Sequence, residues 1–265
     1  MRKLLFITFL STLTVAVLAQ ETTSTGKKEK KAERLRKVSD LIKQSEEGVL
    51  VYHKQHLFGI QGRSNGYGIF YELGKMKTNY TTNLYRIDIT EIKSQKEEKS
   101  SKGFFSNTFI YGKLNNFYQA SLSFGQQRIL GQKGNKNGVA VTAVYNGGLA
   151  LGLLRPYYLE VQDPTTGENK FITYSKADSA LFLNSSAIVG RGGLFKGFNE
   201  MKLKPGVFAK AALRFDYGRF NETVTGIEIG LSTEFYAQKV PIYFGQKEKQ
   251  LFFQGYIALL FGQRK

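Results

Sequence analysis

Val139-Ala140-Val141-Thr142-Ala143-Val144-Tyr145-Asn146-Gly147-Gly148-Leu149-Ala150-Leu151-Gly152-Leu153 alternates without a break. Val139, Val141, Ala143, Tyr145, Gly147, Leu149, Leu151 and Leu153 share one parity, and Ala140, Thr142, Val144, Asn146, Gly148, Ala150 and Gly152 the other. A period of two over fifteen residues specifies one long β-strand. Its first face is apolar and uncharged and its second small and partly polar, as in a strand with hydrocarbon on one side and a barrel lumen on the other. A soluble sandwich strand runs about five or six residues, whereas a tilted bilayer crossing takes roughly 9–11. This stretch suits a crossing with an extension beyond it.

Further segments repeat the pattern. Lys54 to Arg63 and Tyr67 to Lys75 flank Ser64-Asn65-Gly66, whose Asn-Gly pair signals a hairpin. Tyr85, Ile87 and Ile89 alternate with Arg86, Asp88 and Thr90, and Phe104 to Lys113 reads as the next strand. Between Phe117 and Arg128, Tyr118, Ala120, Leu122 and Phe124 oppose Gln119, Ser121, Ser123, Gly125 and Gln127. Beyond the opening stretch follow Val207 to Tyr217, Glu222 to Ala237 and Lys249 to Phe261. That makes nine strands, whereas single-chain bacterial barrels have even numbers. Phe171-Ile172-Thr173-Tyr174 supplies a tenth, so the expected fold is all-β, a closed antiparallel transmembrane barrel of about ten strands, with eight as the alternative.

The ends agree with export. Arg2 and Lys3 precede the apolar run Leu4 to Leu10, and Val17-Leu18-Ala19 ends in a small residue, so residues 1–19 read as a secretory signal peptide. An uncleaved N-terminal anchor is the competing reading, but Thr8, Ser11, Thr12 and Thr14 interrupt a core already short of the roughly 20 apolar residues of a spanning helix. Removing the leader leaves about 246 of the 265 residues, enough for one barrel domain over 49–263 behind a basic periplasmic segment over 20–48. Composition points the same way, with 15 Tyr, 21 Phe and 28 Gly against 4 Pro and no Trp. The absence of cysteine excludes disulfides, a thiolate zinc site and a lipoprotein anchor.

The formal charge of +17 is densest at Lys27, Lys28, Lys30, Lys31, Arg34, Arg36 and Lys37. Lys27 to Glu47 has Leu35, Val38, Leu41 and Ile42 at helical spacing, with Gly48 as its stop. The block reads first as a solvated charged face and second as a contact for lipid or a protein partner. Export and the lack of a nucleic-acid-binding module argue against nucleic acid.

Candidate chemistry is sparse. Arg86, Asp88, Lys210, Arg214, Asp216, Glu228 and Glu234 fall on the parity expected to face the lumen, where opposite charges would pair and fill the interior. His53 and His56 stand three apart, so a strand points them to opposite faces and they share no metal. No nucleophile and base pair is evident, so no enzyme activity, cofactor or metal is expected. The loop Gly131 to Gly138 lacks phosphate-loop spacing. Ser185 to Pro205, which contains the glycine- and aromatic-rich run Gly190 to Phe198, reads as a structured surface loop or a lid across the barrel mouth.

The strings Tyr111 to Gln119, Leu154 to Val161 and Phe195-Lys196-Gly197-Phe198 resemble those of a functionally unassigned family of small Bacteroidota outer-membrane barrels. The resemblance spans most of residues 50–263 and implies an outer-membrane barrel in a Gram-negative envelope, without an active site. The expected role is structural or accessory, as a subunit of a secretion or barrel-assembly complex engaged through the basic N-terminal helix and the 162–202 region, with the N-terminus in the periplasm. Outer-membrane lipid and other envelope proteins are the expected partners. A narrow diffusion channel or a binder of small hydrophobic molecules is the alternative, and a soluble secreted β-sandwich a third class.

Overall fold

The computed structural model describes residues 52–101, 108–134, 138–193, 195–218 and 223–265, together with Leu35. The leader and the basic helix expected over 27–47 lie outside the described residues, apart from Leu35, which is helical and exposed. In chain order the strands are β1 (Lys54–Arg63), β2 (Gly66–Thr78), β3 (Thr81–Ile92), β4 (Lys99–Ser100), β5 (Phe109–Ile110), β6 (Asn115–Gly131), β7 (Ala140–Pro156), β8 (Leu159–Gln162), β9 (Asn169–Ile172), β10 (Ile188–Arg191), β11 (Lys202–Asp216), β12 (Thr223–Val240) and β13 (Lys249–Arg264). A one-turn helix, α1 (Ser179–Phe182), lies between β9 and β10.

Eight of these strands close one barrel in the order β1-β13-β12-β11-β7-β6-β3-β2, every pair antiparallel. The expected count of ten is therefore corrected to the alternative of eight. Phe104 to Lys113 does not join the ring: within it only Phe109–Ile110 forms a strand, paired with Lys99–Ser100, and residues 102–107 lie outside the described residues. The supposed tenth strand is β9, four residues long and paired with β8 in a separate three-stranded sheet β10-β8-β9. Four residues are too few to cross a barrel wall. They are held instead by a small core of their own, in which Tyr157, Leu159, Val161, Ile172, Phe182 and Ile188 pack with Phe109.

The alternation runs as its period demands. In β7 Tyr145, Leu149 and Leu151 point outward, with Leu149 70% exposed, while Ala140, Thr142, Val144, Asn146 and Ala150 are buried. Ile69, Ile87, Leu122, Val207, Leu231 and Ile257 continue the exposed apolar wall on other strands. Connections differ between the two ends. Residues 79–80, 132–139 and 217–222 join strands at the end that holds Lys54 and Arg264, whereas the tight turn 64–65 and the connections 93–114, 157–201 and 241–248 join them at the opposite, loop end.

The β1–β2 hairpin shows local necessity at one glycine. Ser64 and Asn65 form the turn with no positive φ, and Gly66 takes φ 152° opposite Arg63. A Cβ on Gly66 would lie 1.9 Å from the Glu91 carbonyl oxygen of β3. Gly66→Ala is therefore expected to lower stability by about 1–3 kcal/mol, read as a lower urea midpoint of the folded form; an unchanged midpoint would contradict the assigned turn.

Candidate functional site

The barrel interior carries most of the buried charge, and strand register puts it there. Arg214 on β11 stands directly opposite Glu228 on β12, and Arg86 on β3 directly opposite Glu72 on β2. The β11–β12 pair and the β2–β3 pair lie on opposite sides of the ring, so the two charge pairs face each other across the lumen. Arg214 bridges them. Its Nη1 and Nη2 donate to the two Glu72 carboxylate oxygens at 2.7 and 2.8 Å, and its Nε and Nη2 donate to Glu228 Oε2 at 2.9 and 2.6 Å. Fork-shaped pairing of this kind is strong and directional.

Arg86 completes the cluster. Its Nη1 donates to Glu228 Oε1 at 2.9 Å, its Nε to Asp88 Oδ1 at 3.2 Å, and its guanidinium sits 3.5 Å above the Phe70 ring. Lys210 donates to Asp88 at 2.7 Å, and the Tyr256 hydroxyl to Glu228 at 2.8 Å. Gln61 and Gln127 accept from Arg86 and Arg214 respectively. All of these side chains are buried.

Two further layers close the lumen above and below. Toward the loop end Arg63 pairs with Glu234 at 2.5 Å. Beyond that pair Phe117, Tyr236 and Phe252 pack with ring centroids 5.1 to 6.0 Å apart, joined by Ile92, Leu154, Phe208, Val240 and Ile242. Toward the chain ends Arg264 pairs with Asp216 at 2.7 Å, Lys133 approaches the same carboxylate at 3.6 Å, and the Arg264 guanidinium lies over the Tyr52 ring. Burial pushes the Lys133 ammonium below the usual lysine range, against the attraction of Asp216. Among the strand residues buried in the ring, Arg63, Arg86, Lys210, Arg214 and Arg264 face Glu72, Asp88, Asp216, Glu228 and Glu234, five charges of each sign.

The seven charges singled out from parity, Arg86, Asp88, Lys210, Arg214, Asp216, Glu228 and Glu234, are all buried inside the ring, and the three layers just described contain all of them. Glu72, Arg63 and Arg264, their partners, were not singled out. Glu72 shares its parity with Gly68, Phe70 and Gly74, opposite Tyr67, Ile69, Tyr71 and Leu73, and Arg63 stands opposite in parity to Phe58 and Ile60, so both were within reach of the same rule. Arg264 was hidden because the last strand runs to Arg264 and not to Phe261. Lys27, Lys28, Lys30, Lys31, Arg34, Arg36 and Lys37 lie outside the described residues.

The region 162–202 contributes most of a folded cap. Tyr111 donates its hydroxyl hydrogen to the Leu183 carbonyl at 2.8 Å, and the Ile110 N–H donates to the Tyr157 hydroxyl at 3.0 Å, tying the 93–114 connection to the 157–201 insertion. Burial raises the Tyr157 hydroxyl above its ordinary pKa. Phe198 lies under the Arg155 guanidinium and Phe171 under the Lys196 ammonium, while Phe195 stays 86% exposed. His56 faces outward and bonds the Tyr71 hydroxyl at 2.9 Å. Among the described residues no three His, Cys, Asp or Glu side chains gather as a metal site. An apolar recess of about 810 Å³ between Ile60, Ile69, Ile89, Ile257 and Leu259 opens on the outer wall and not on the lumen.

No family model and no curated protein matches the chain. Solved structures similar to it include Ail of Yersinia pestis in complex with a heparin analogue, at 12% identity and TM-score 0.39 over 81% of this chain and 100% of that one. The N-terminal β-barrel domain of Pseudomonas aeruginosa OprF is 9% identical, with TM-score 0.37 over 80% and 98%. Neisserial surface protein A is 8% identical, with TM-score 0.38 over 81% and 97%. The closed ring assigned to this chain rests on its own strand pairing.

The arrangement suits bracing more than chemistry, because each interior carboxylate already faces a cation. Arg214→Met would leave Glu72 and Glu228 buried with one cation fewer, and is expected to cost about 3–5 kcal/mol. Adding Glu72→Gln should recover part of that loss. Urea titration of the folded gel form measures both, and a loss under about 1 kcal/mol for the single variant would show the bridge to be energetically idle.

Proposed function

We propose that this chain is a small outer-membrane β-barrel that acts as an anchor and scaffold, holding its cap at the membrane surface, and not as a conduit or an enzyme. The observation that carries this reading is the filled interior: three layers of paired charges capped by the Phe117, Tyr236 and Phe252 plug. An eight-stranded ring is just wide enough for side chains to fill it, and the strand residues buried in this one carry five charges of each sign.

The wall supports the membrane assignment. Only helices and closed sheets satisfy their backbone in hydrocarbon, and the ring leaves no strand edge while presenting Leu149, Ile87, Leu122 and Ile257 outward. The unequal connections support a periplasmic placement of the N-terminus and of the shorter links, since barrels of this class keep short turns on that side. The cap, with Phe195 exposed on it, supports an accessory role in which an envelope protein docks at the loop end, as in a secretion or barrel-assembly complex.

Expressed with its leader, the protein should fractionate with outer membranes, require detergent for release, and run at a different gel mobility before and after boiling. Reconstituted in planar bilayers, it should give no steady conductance steps. Release without detergent would end the membrane assignment, and reproducible steps would replace the scaffold by the diffusion channel.

A further inference from the structure

Across β13, β1 and β2 the outward side chains fall into rows. Lys54 and Lys265 exchange both backbone hydrogen bonds at 2.8 Å, and Lys54 stands directly opposite Lys75, so three lysines occupy neighbouring positions across the wall. Such cross-strand neighbours are about 5 Å apart at Cβ, and like charges placed there repel. All three are exposed, as are Lys77 on the same face of β2 and Arg128 on β6. None of the five has an ion pair among the described residues, and that end of the barrel exposes no carboxylate side chain among them. The loop end differs in its exposed acids: Lys93, Lys113 and Lys170 face carboxylates at 3.9, 2.8 and 2.8 Å, and Glu98, Glu168 and Glu248 stand exposed among the other lysines there.

Four residues further into the wall, the same three strands carry the exposed row Phe261, Phe58 and Tyr71. At about 3.3 Å per residue and the tilt of a barrel strand, the lysine row lies roughly 10 Å beyond the aromatic one. Aromatic belts mark the level where hydrocarbon meets headgroups, which puts the ammonium groups at the depth of lipid phosphates. Among the described residues no acidic side chain relieves this repulsion, and an anion supplied from outside would.

We propose that the Lys265–Lys54–Lys75 row is a binding site for anionic glycerophospholipid headgroups in the leaflet nearest the chain ends. The inference rests on the membrane-spanning reading given above. The phosphodiester of one lipid accepts from two adjacent ammonium groups while its acyl chains lie against Phe58 and Tyr71. Lys77 and Arg128 extend the same cationic rim around the barrel.

The test uses the full chain refolded into phosphatidylcholine vesicles carrying a trace of spin-labelled phosphatidylglycerol or spin-labelled phosphatidylcholine, with the motionally restricted fraction measured by electron paramagnetic resonance. The wild-type protein should restrict the phosphatidylglycerol probe preferentially, and the preference should fall about fivefold for each lysine removed in Lys54→Gln and Lys54→Gln/Lys75→Gln. Lys99→Gln at the loop end should leave it unchanged, and raising salt on the wild-type protein should erase it without releasing the protein. Equal restriction of both probes by the wild type, or a preference that survives the double substitution and high salt, overturns the site. Should a variant not refold, the salt titration of the wild type decides alone. A protein that restricts neither probe and floats free of the vesicles overturns the membrane reading, an outcome distinct from loss of selectivity.

Discussion

The bridge from Arg214 to Glu72 and Glu228 ties opposite walls of the ring together, and the rest of the interior is arranged around it. Taking a charge out of water costs several kcal/mol even after relaxation, and only close, hydrogen-bonded partners offset it. That constraint explains why five cations meet five carboxylates inside one narrow ring, and why Gln61, Gln127 and Tyr256 occupy remaining donor and acceptor positions. Arg86 shows the same economy of contact, with carboxylates at its edge and the Phe70 ring beneath its face.

An interior built this way also distinguishes inside from outside. In a soluble sheet the greasy side defines the core, but here the greasy side is the exterior and the charged side the interior. A register slip of one residue sends every side chain to the other face. In β11 such a slip would carry Lys210, Arg214 and Asp216 to the wall and Leu213 and Phe215 into the charged lumen. Charges at the membrane midplane on the lipid side cost about 2–4 kcal/mol each in barrels of this type, and their abandoned partners inside would cost more. The ion pairs thus contribute to specificity whatever their net contribution to stability.

The two ends are finished differently. At the loop end an aromatic plug and then a cap with its own core remove the lumen from solvent. At the other end Arg264, Asp216, Lys133 and Tyr52 close it with polar contacts, and the outer rim carries lysines that have no ion pair among the described residues. This asymmetry gives the barrel a basic collar at one end and a folded cap at the other.

Outward and inward faces were legible residue by residue, since a strand's alternation is a local property that needs no knowledge of its neighbours. That is why the seven interior charges could be named from parity, and why Glu72 and Arg63, though not singled out, lay within reach of the same rule. The strand count was not legible, because Phe171 to Tyr174 looks locally like any short apolar strand, and only the alternative of a separate core with Tyr157, Phe182 and Phe109 keeps it out of the ring. The pairing of Arg214 with a carboxylate 142 positions earlier in the chain is of the same kind. It depends on which strands close the circle and lie opposite each other, and closure belongs to the whole sheet and to no segment of it.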